Sequence, residues 1–91
     1  MFSDYLVSNK LYLKKDIRIE CAEIINSKPR YIHQWVELKE VINILSIDKN
    51  EFTFLKGDRI FIYWCDVSIF FKLRCKNKAE IREMNLNKIL E

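Results

Sequence analysis

A single glycine, Gly57, serves a chain of 91 residues, and it has one proline, Pro29, for company. Glycine is the residue that takes positive φ at no steric cost, so a chain this poor in it cannot build glycine-lined phosphate loops or flexible Gly-Ser linkers. Neither G-x-S-x-G nor G-x-x-x-x-G-K-[ST] can be written with one glycine, and H-E-x-x-H is absent as well. The same scarcity locates a turn. Lys56-Gly57-Asp58 separates two alternating apolar segments, which predicts a hairpin with Gly57 at its positive-φ position.

Around that turn the pattern reads as a β-meander. Residues 40–47 alternate, and Asp48-Lys49-Asn50 forms a three-residue loop in which Asn50 is expected to take the left-handed conformation. Phe52 and Phe54 resume the alternation, Arg59–Trp64 forms a third strand, and Asp66 breaks it. Residues 67–75 then read as a fourth strand. Asn77-Lys-Ala-Glu80 offers a capping box, and 78–90 reads as an amphipathic helix docked through Ile81, Met84, Ile89 and Leu90.

Residues 1–40 carry two readings. Ile17, Ile19 and Cys21 alternate as in a strand, while Ile17, Cys21, Ile24 and Ile25 also share a helical face. The preferred reading takes 17–24 and 40–47 as strands, with a helical turn around 31–38. The fold class is then α+β: a small antiparallel β-meander of four to five strands with a C-terminal amphipathic helix, closed as a bent barrel of the SH3-like kind. If 17–26 and 30–45 are helices instead, the order becomes that of a winged-helix DNA reader.

One domain is expected from this length, with 49% apolar residues and 12 aromatics to fill a core. The 32% charged residues leave no apolar run long enough for a membrane helix, and Met1–Asp4 begins no signal peptide. Cys21, Cys65 and Cys75 are odd in number and widely spaced, which reads as free thiols in a reducing cytoplasm. Lys, Ile and Asn make up 31 residues, the bias of an AT-rich genome such as that of a phage or mobile element.

Catalysis has thin support. His33 is the only histidine and has no carboxylate within three residues, and Glu20/Glu23 and Glu37/Glu40 read as solvated charge. Cys21, His33, Cys65 and Cys75 add up to a Cys₃His set, but the intervening gaps of 11, 31 and 9 residues lack the short knuckle of a zinc site. No catalytic residue, metal or cofactor is therefore expected.

Two binding readings remain. Ile60–Cys65 and Ile69–Phe71 are apolar on both strand faces, so one face wants a cover: the N-terminal segment, a second copy or a protein partner. Tyr63, Trp64, Phe71 and Trp35 are the candidate interface residues, being of the types that dominate interfaces. The expected function is that of a small non-enzymatic regulator or inhibitor working by protein–protein contact. The alternative is a nucleic-acid-binding regulator. There Lys72, Arg74, Lys76 and Lys78 recur every second residue along an edge strand, with Lys14, Lys15 and Arg18 beside them. Exposed aromatics among Tyr12, Tyr31, Trp35, Tyr63 and Trp64 would supply stacking surfaces. A net charge of +3 is modest for that role.

Overall fold

The computed structural model describes the backbone of residues 4–25 and 28–90, and the side chains of 4–25 and 33–84. Seven strands form one antiparallel sheet: β1 (Leu6–Val7), β2 (Lys10–Tyr12), β3 (Ile17–Ile25), β4 (Lys28–Leu38), β5 (Val41–Ile47), β6 (Glu51–Lys56) and β7 (Arg59–Trp64). Two helices follow, α1 (Val67–Arg74) and α2 (Lys78–Leu90). The protein is mostly β with a C-terminal helix.

Several expectations need correction. The sheet has seven strands, not four or five, and the meander contributes three of them, β5–β7. The helical alternative for 17–26 and 30–45 does not occur, nor does a helical turn at 31–38, because β3, β4 and β5 cover these segments. The structure adds an early hairpin, in which Ser8 and Asn9 at φ 53° and 61° join β1 to β2. Two adjacent positive-φ residues form the primed turn that suits strand twist, and only Asn9 hints at it in the sequence. Gly57 does sit at φ 65°, whereas Asn50 is not among the positive-φ residues.

Residues 67–74 are a helix rather than a fourth strand. Asp66 is its N-cap, its Oδ1 accepting the Ile69 N–H at 3.2 Å. Val67, Phe70 and Phe71, spaced i, i+3 and i+4, are buried, while Ile69 and Leu73 stand 55% and 64% exposed on the opposite side. Lys72 and Arg74 lie in the last turn, where cations meet the negative end of the helix dipole. α2 starts as read. The Asn77 side chain accepts the Glu80 N–H at 2.9 Å, and the Glu80 carboxylate accepts the Asn77 N–H at 3.2 Å. Ile81 is buried and Met84 half-buried, while the expected docking residues Ile89 and Leu90 lie outside the described side chains.

The sheet order is β1-β2-β5-β6-β7-β3-β4, and it forces curvature. Only Lys39 and Glu40 separate β4 from β5, so Leu38 and Val41 are at most about 11 Å apart along the chain. In a flat sheet the two strands would stand four spacings apart, about 19 Å. The sheet must therefore wind round on itself. The corner is tight enough that Glu40 adopts φ 23°, and its carbonyl accepts the Leu13 N–H at 2.8 Å.

The concave side holds the core. Phe52, Phe54 and Phe61 from β6 and β7 meet Phe70 and Phe71 of α1, with Leu11, Ile19, Cys21, Val36, Leu38, Ile42 and Ile44 around them. Phe52 lies at its centre, its ring 5.5–6.0 Å from those of Phe54, Tyr63, Phe70 and Phe71. The cover required by the inner face of β7 is thus α1.

Candidate functional site

Strand alternation decides which aromatics reach the surface. On β7, Phe61 and Tyr63 point into the core, and Ile60, Ile62 and Trp64 point out. On β4, Val36 and Leu38 point in, and His33, Trp35 and Glu37 point out. The four candidate interface residues accordingly separate into two pairs. Phe71 is fully buried, and Tyr63 is half-buried with its ring 5.4 Å from Phe70. Trp35 and Trp64 share the convex face, 62% and 38% exposed.

β3 lies between the strands that carry the two tryptophans. Ala22 pairs with Ile62 on one side and His33 on the other; two residues further along lie Trp64 on β7, Glu20 on β3 and Trp35 on β4, with Glu20 and Trp35 directly paired. The His33 ring is 6.0 Å from Trp64 and its Nδ1 is 3.6 Å from a Glu20 carboxylate oxygen. The Arg18 guanidinium lies over the Trp35 ring at 5.7 Å. Trp35, Trp64, His33, Glu20 and Arg18 therefore form one aromatic and polar surface, with Glu37 and Glu51 at its margins. The sequence placed no carboxylate beside His33. Glu20 reaches it across strands, a relation set by register and invisible to local spacing.

The concave mouth carries a second polar group. Arg59 donates from Nε to Glu23 at 3.1 Å and from Nη2 to the other Glu23 oxygen. It also reaches the Gln34 side-chain oxygen at 3.1 Å, with its guanidinium 5.0 Å from the Phe61 ring. Arg59 holds the Glu23 carboxyl below its usual range. Glu23, read as solvated charge, is the half-buried member of this clamp.

The seven basic candidates fall in three places. Arg18 belongs to the tryptophan face. Lys78 opens α2 and lines a shallow depression with Asp4 and Tyr5. Lys72 and Arg74 are not strand neighbours as expected, since the helix turns them roughly 200° apart. Beyond the helix the chain extends, and Cys75 forms a bridge with Leu13. Lys14 donates its backbone N–H to the Arg74 carbonyl at 2.9 Å, and Lys76 donates to the Tyr12 carbonyl at 2.7 Å. Lys14, Lys15, Lys72, Arg74 and Lys76 are gathered there.

The thiols are poorly suited to nucleophilic work. Burial pushes Cys21 and Cys65 up to about 11 and Cys75 to about 12, so each is protonated at neutral pH. Among the described residues no three of His, Cys, Asp and Glu are grouped to hold a metal ion. No described helix is long and apolar enough to cross a membrane. No protein-family model, curated protein or solved structure matches this chain.

Proposed function

We propose that this chain is a protein-docking module whose contact surface is the convex face bearing Trp35 and Trp64, and that it acts by occupying a partner rather than by catalysis. The observation that carries the reading is the exposure of both tryptophans on one face of β7-β3-β4, on either side of Glu20. Tryptophan is over-represented among residues that dominate binding energy, because a large rigid ring buries much area for little lost rotamer freedom. The polar surround selects the partner's chemistry. Glu20, Glu37 and Glu51 border the rings, so a basic segment with apolar side chains fits, its cations placed over the tryptophan faces as Arg18 already is over Trp35. The high thiol pKa values support a non-catalytic role.

Selection from a random peptide library against the immobilised protein tests this. Enriched peptides should carry Arg or Lys beside apolar residues, change the intrinsic tryptophan emission on binding, and lose affinity at least tenfold against Trp35→Ala or Trp64→Ala. Peptides that bind both variants as tightly as the parent would overturn it.

A further inference from the structure

We infer that the junction of β2 with the end of α1 is a phosphate-backbone site for single-stranded nucleic acid, separate from the tryptophan face. Leu13 and Cys75 form an isolated antiparallel bridge, and both side chains are buried. Of their flanking residues, Lys14 and Arg74 are exposed, and Tyr12 and Lys76 are half-buried. The two backbone hydrogen bonds of the bridge set Lys14 beside Arg74 and Tyr12 beside Lys76. Lys15 follows directly, and the Lys14 ammonium reaches the Lys72 carbonyl at 3.5 Å, which brings α1's last turn into the group.

Like charges facing each other across a strand pair destabilise it. Elsewhere this fold neutralises such charge, as Glu23 does for Arg59. Here, among the described residues, Lys14, Lys15, Lys72, Arg74 and Lys76 make no ion pair, and Lys76 spends its ammonium on the Met84 sulfur at 3.4 Å. A cluster of like charges in which no member is ion-paired is an arrangement that an external anion would relieve.

The cluster borders a cavity of about 280 Å³ whose lining includes Tyr12, Lys14, Lys15, Lys76 and Met84 together with Asp16 and Glu40. Half-buried Tyr12 beside three lysines combines a stacking platform with backbone-tracking cations, the pairing by which unpaired strands are held. Asp16 and Glu40 would repel a phosphate placed inside the cavity, so the backbone is expected to run past Lys14 and Arg74, the latter outside the lining. A duplex keeps its bases stacked inside and cannot offer one to Tyr12, so the single strand is the favoured form.

Fluorescence anisotropy of the full chain with labelled single- and double-stranded oligonucleotides tests the inference. Four phosphate contacts give a log-log salt slope near −3, so affinity for the single strand should fall about fiftyfold between 50 and 200 mM salt. Lys14→Gln and Arg74→Gln should each lower the slope by about 0.7. Lys49→Gln, at the distant β5–β6 loop, should change nothing. Tyr12→Leu should weaken single-strand binding without altering the slope. Absence of binding at 50 mM salt, or unchanged affinity in Lys14→Gln/Arg74→Gln, overturns the inference. Equal affinity for heparin or anionic phosphatidylserine vesicles also overturns it, since that is a response to charge alone.

Discussion

Replacing Phe71 with alanine separates the two roles that strand periodicity alone allowed this residue. Phe71 is fully buried, on the face of α1 that closes the concave side of the sheet. Its ring lies 5.7 Å from Tyr5, 6.0 Å from Phe52 and 6.3 Å from Phe70. Truncating such a phenylalanine removes its transfer energy and leaves a cavity, together about 3–5 kcal/mol. A domain of this length has a total stability of roughly 5–14 kcal/mol, so the variant keeps at best about four fifths of it. At a urea slope near 1.5 kcal/mol/M the midpoint should drop by about 2–3 M. Urea unfolding followed by far-UV dichroism reads this directly, with Trp35→Ala as the comparison expected to stay within about 0.5 kcal/mol of the parent. A loss below about 1 kcal/mol for Phe71→Ala would refute the packing of α1 on the sheet, and with it the assignment of the surface to Trp35 and Trp64.

Other expectations are narrower. Gly57→Ala should cost about 1 kcal/mol in the same assay; nothing lies within 4 Å of the added Cβ, so the cost comes from φ 65° alone, and a neutral result would contradict the turn geometry. Asp66→Ala removes the cap of α1 and should cost about 1 kcal/mol. Stability should also fall in alkali. The native thiol pKa values of Cys21, Cys65 and Cys75 lie above the ordinary value of 9.0, so their protonated forms favour the fold fully below pH 9. That contribution is lost as pH rises towards 11–12, and the thermal midpoint should decline across this window, less steeply in Cys65→Ala. Alkylation of the native protein at pH 7 should be slow and should accelerate sharply in denaturant.

What could be read from the sequence was what local chemistry determines. Gly57 marked its turn, Asn77 and Glu80 marked the start of α2, and alternation marked β5, β6 and β7. The failures have physical causes. Val67-Ser-Ile-Phe-Phe is rich in β-branched and aromatic residues, so composition favoured a strand, while the Asp66 cap and the i, i+3, i+4 burial of Val67, Phe70 and Phe71 decided for a helix. The Ser8-Asn9 turn uses two non-glycine residues at positive φ and left only Asn9 as a signal. Strand order was not legible at all, because nothing local says that β3 pairs with β7. The tryptophan face depends on that order, since Trp64, Glu20 and Trp35 become neighbours only once β3 is inserted between β7 and β4.

That insertion also bears on synthesis. The β3–β4 hairpin is complete at Leu38, yet the partner of its other edge, Ile60–Ile62, is made 24 residues later. At translation rates of about 5–20 residues per second, β3 waits roughly 1–5 s with an unpaired edge. Glu20 and Glu23 on β3, and Arg18 before them, keep that waiting edge charged, so residues that later serve the surface and the Arg59 clamp first discourage the nascent hairpin from pairing with the wrong strand.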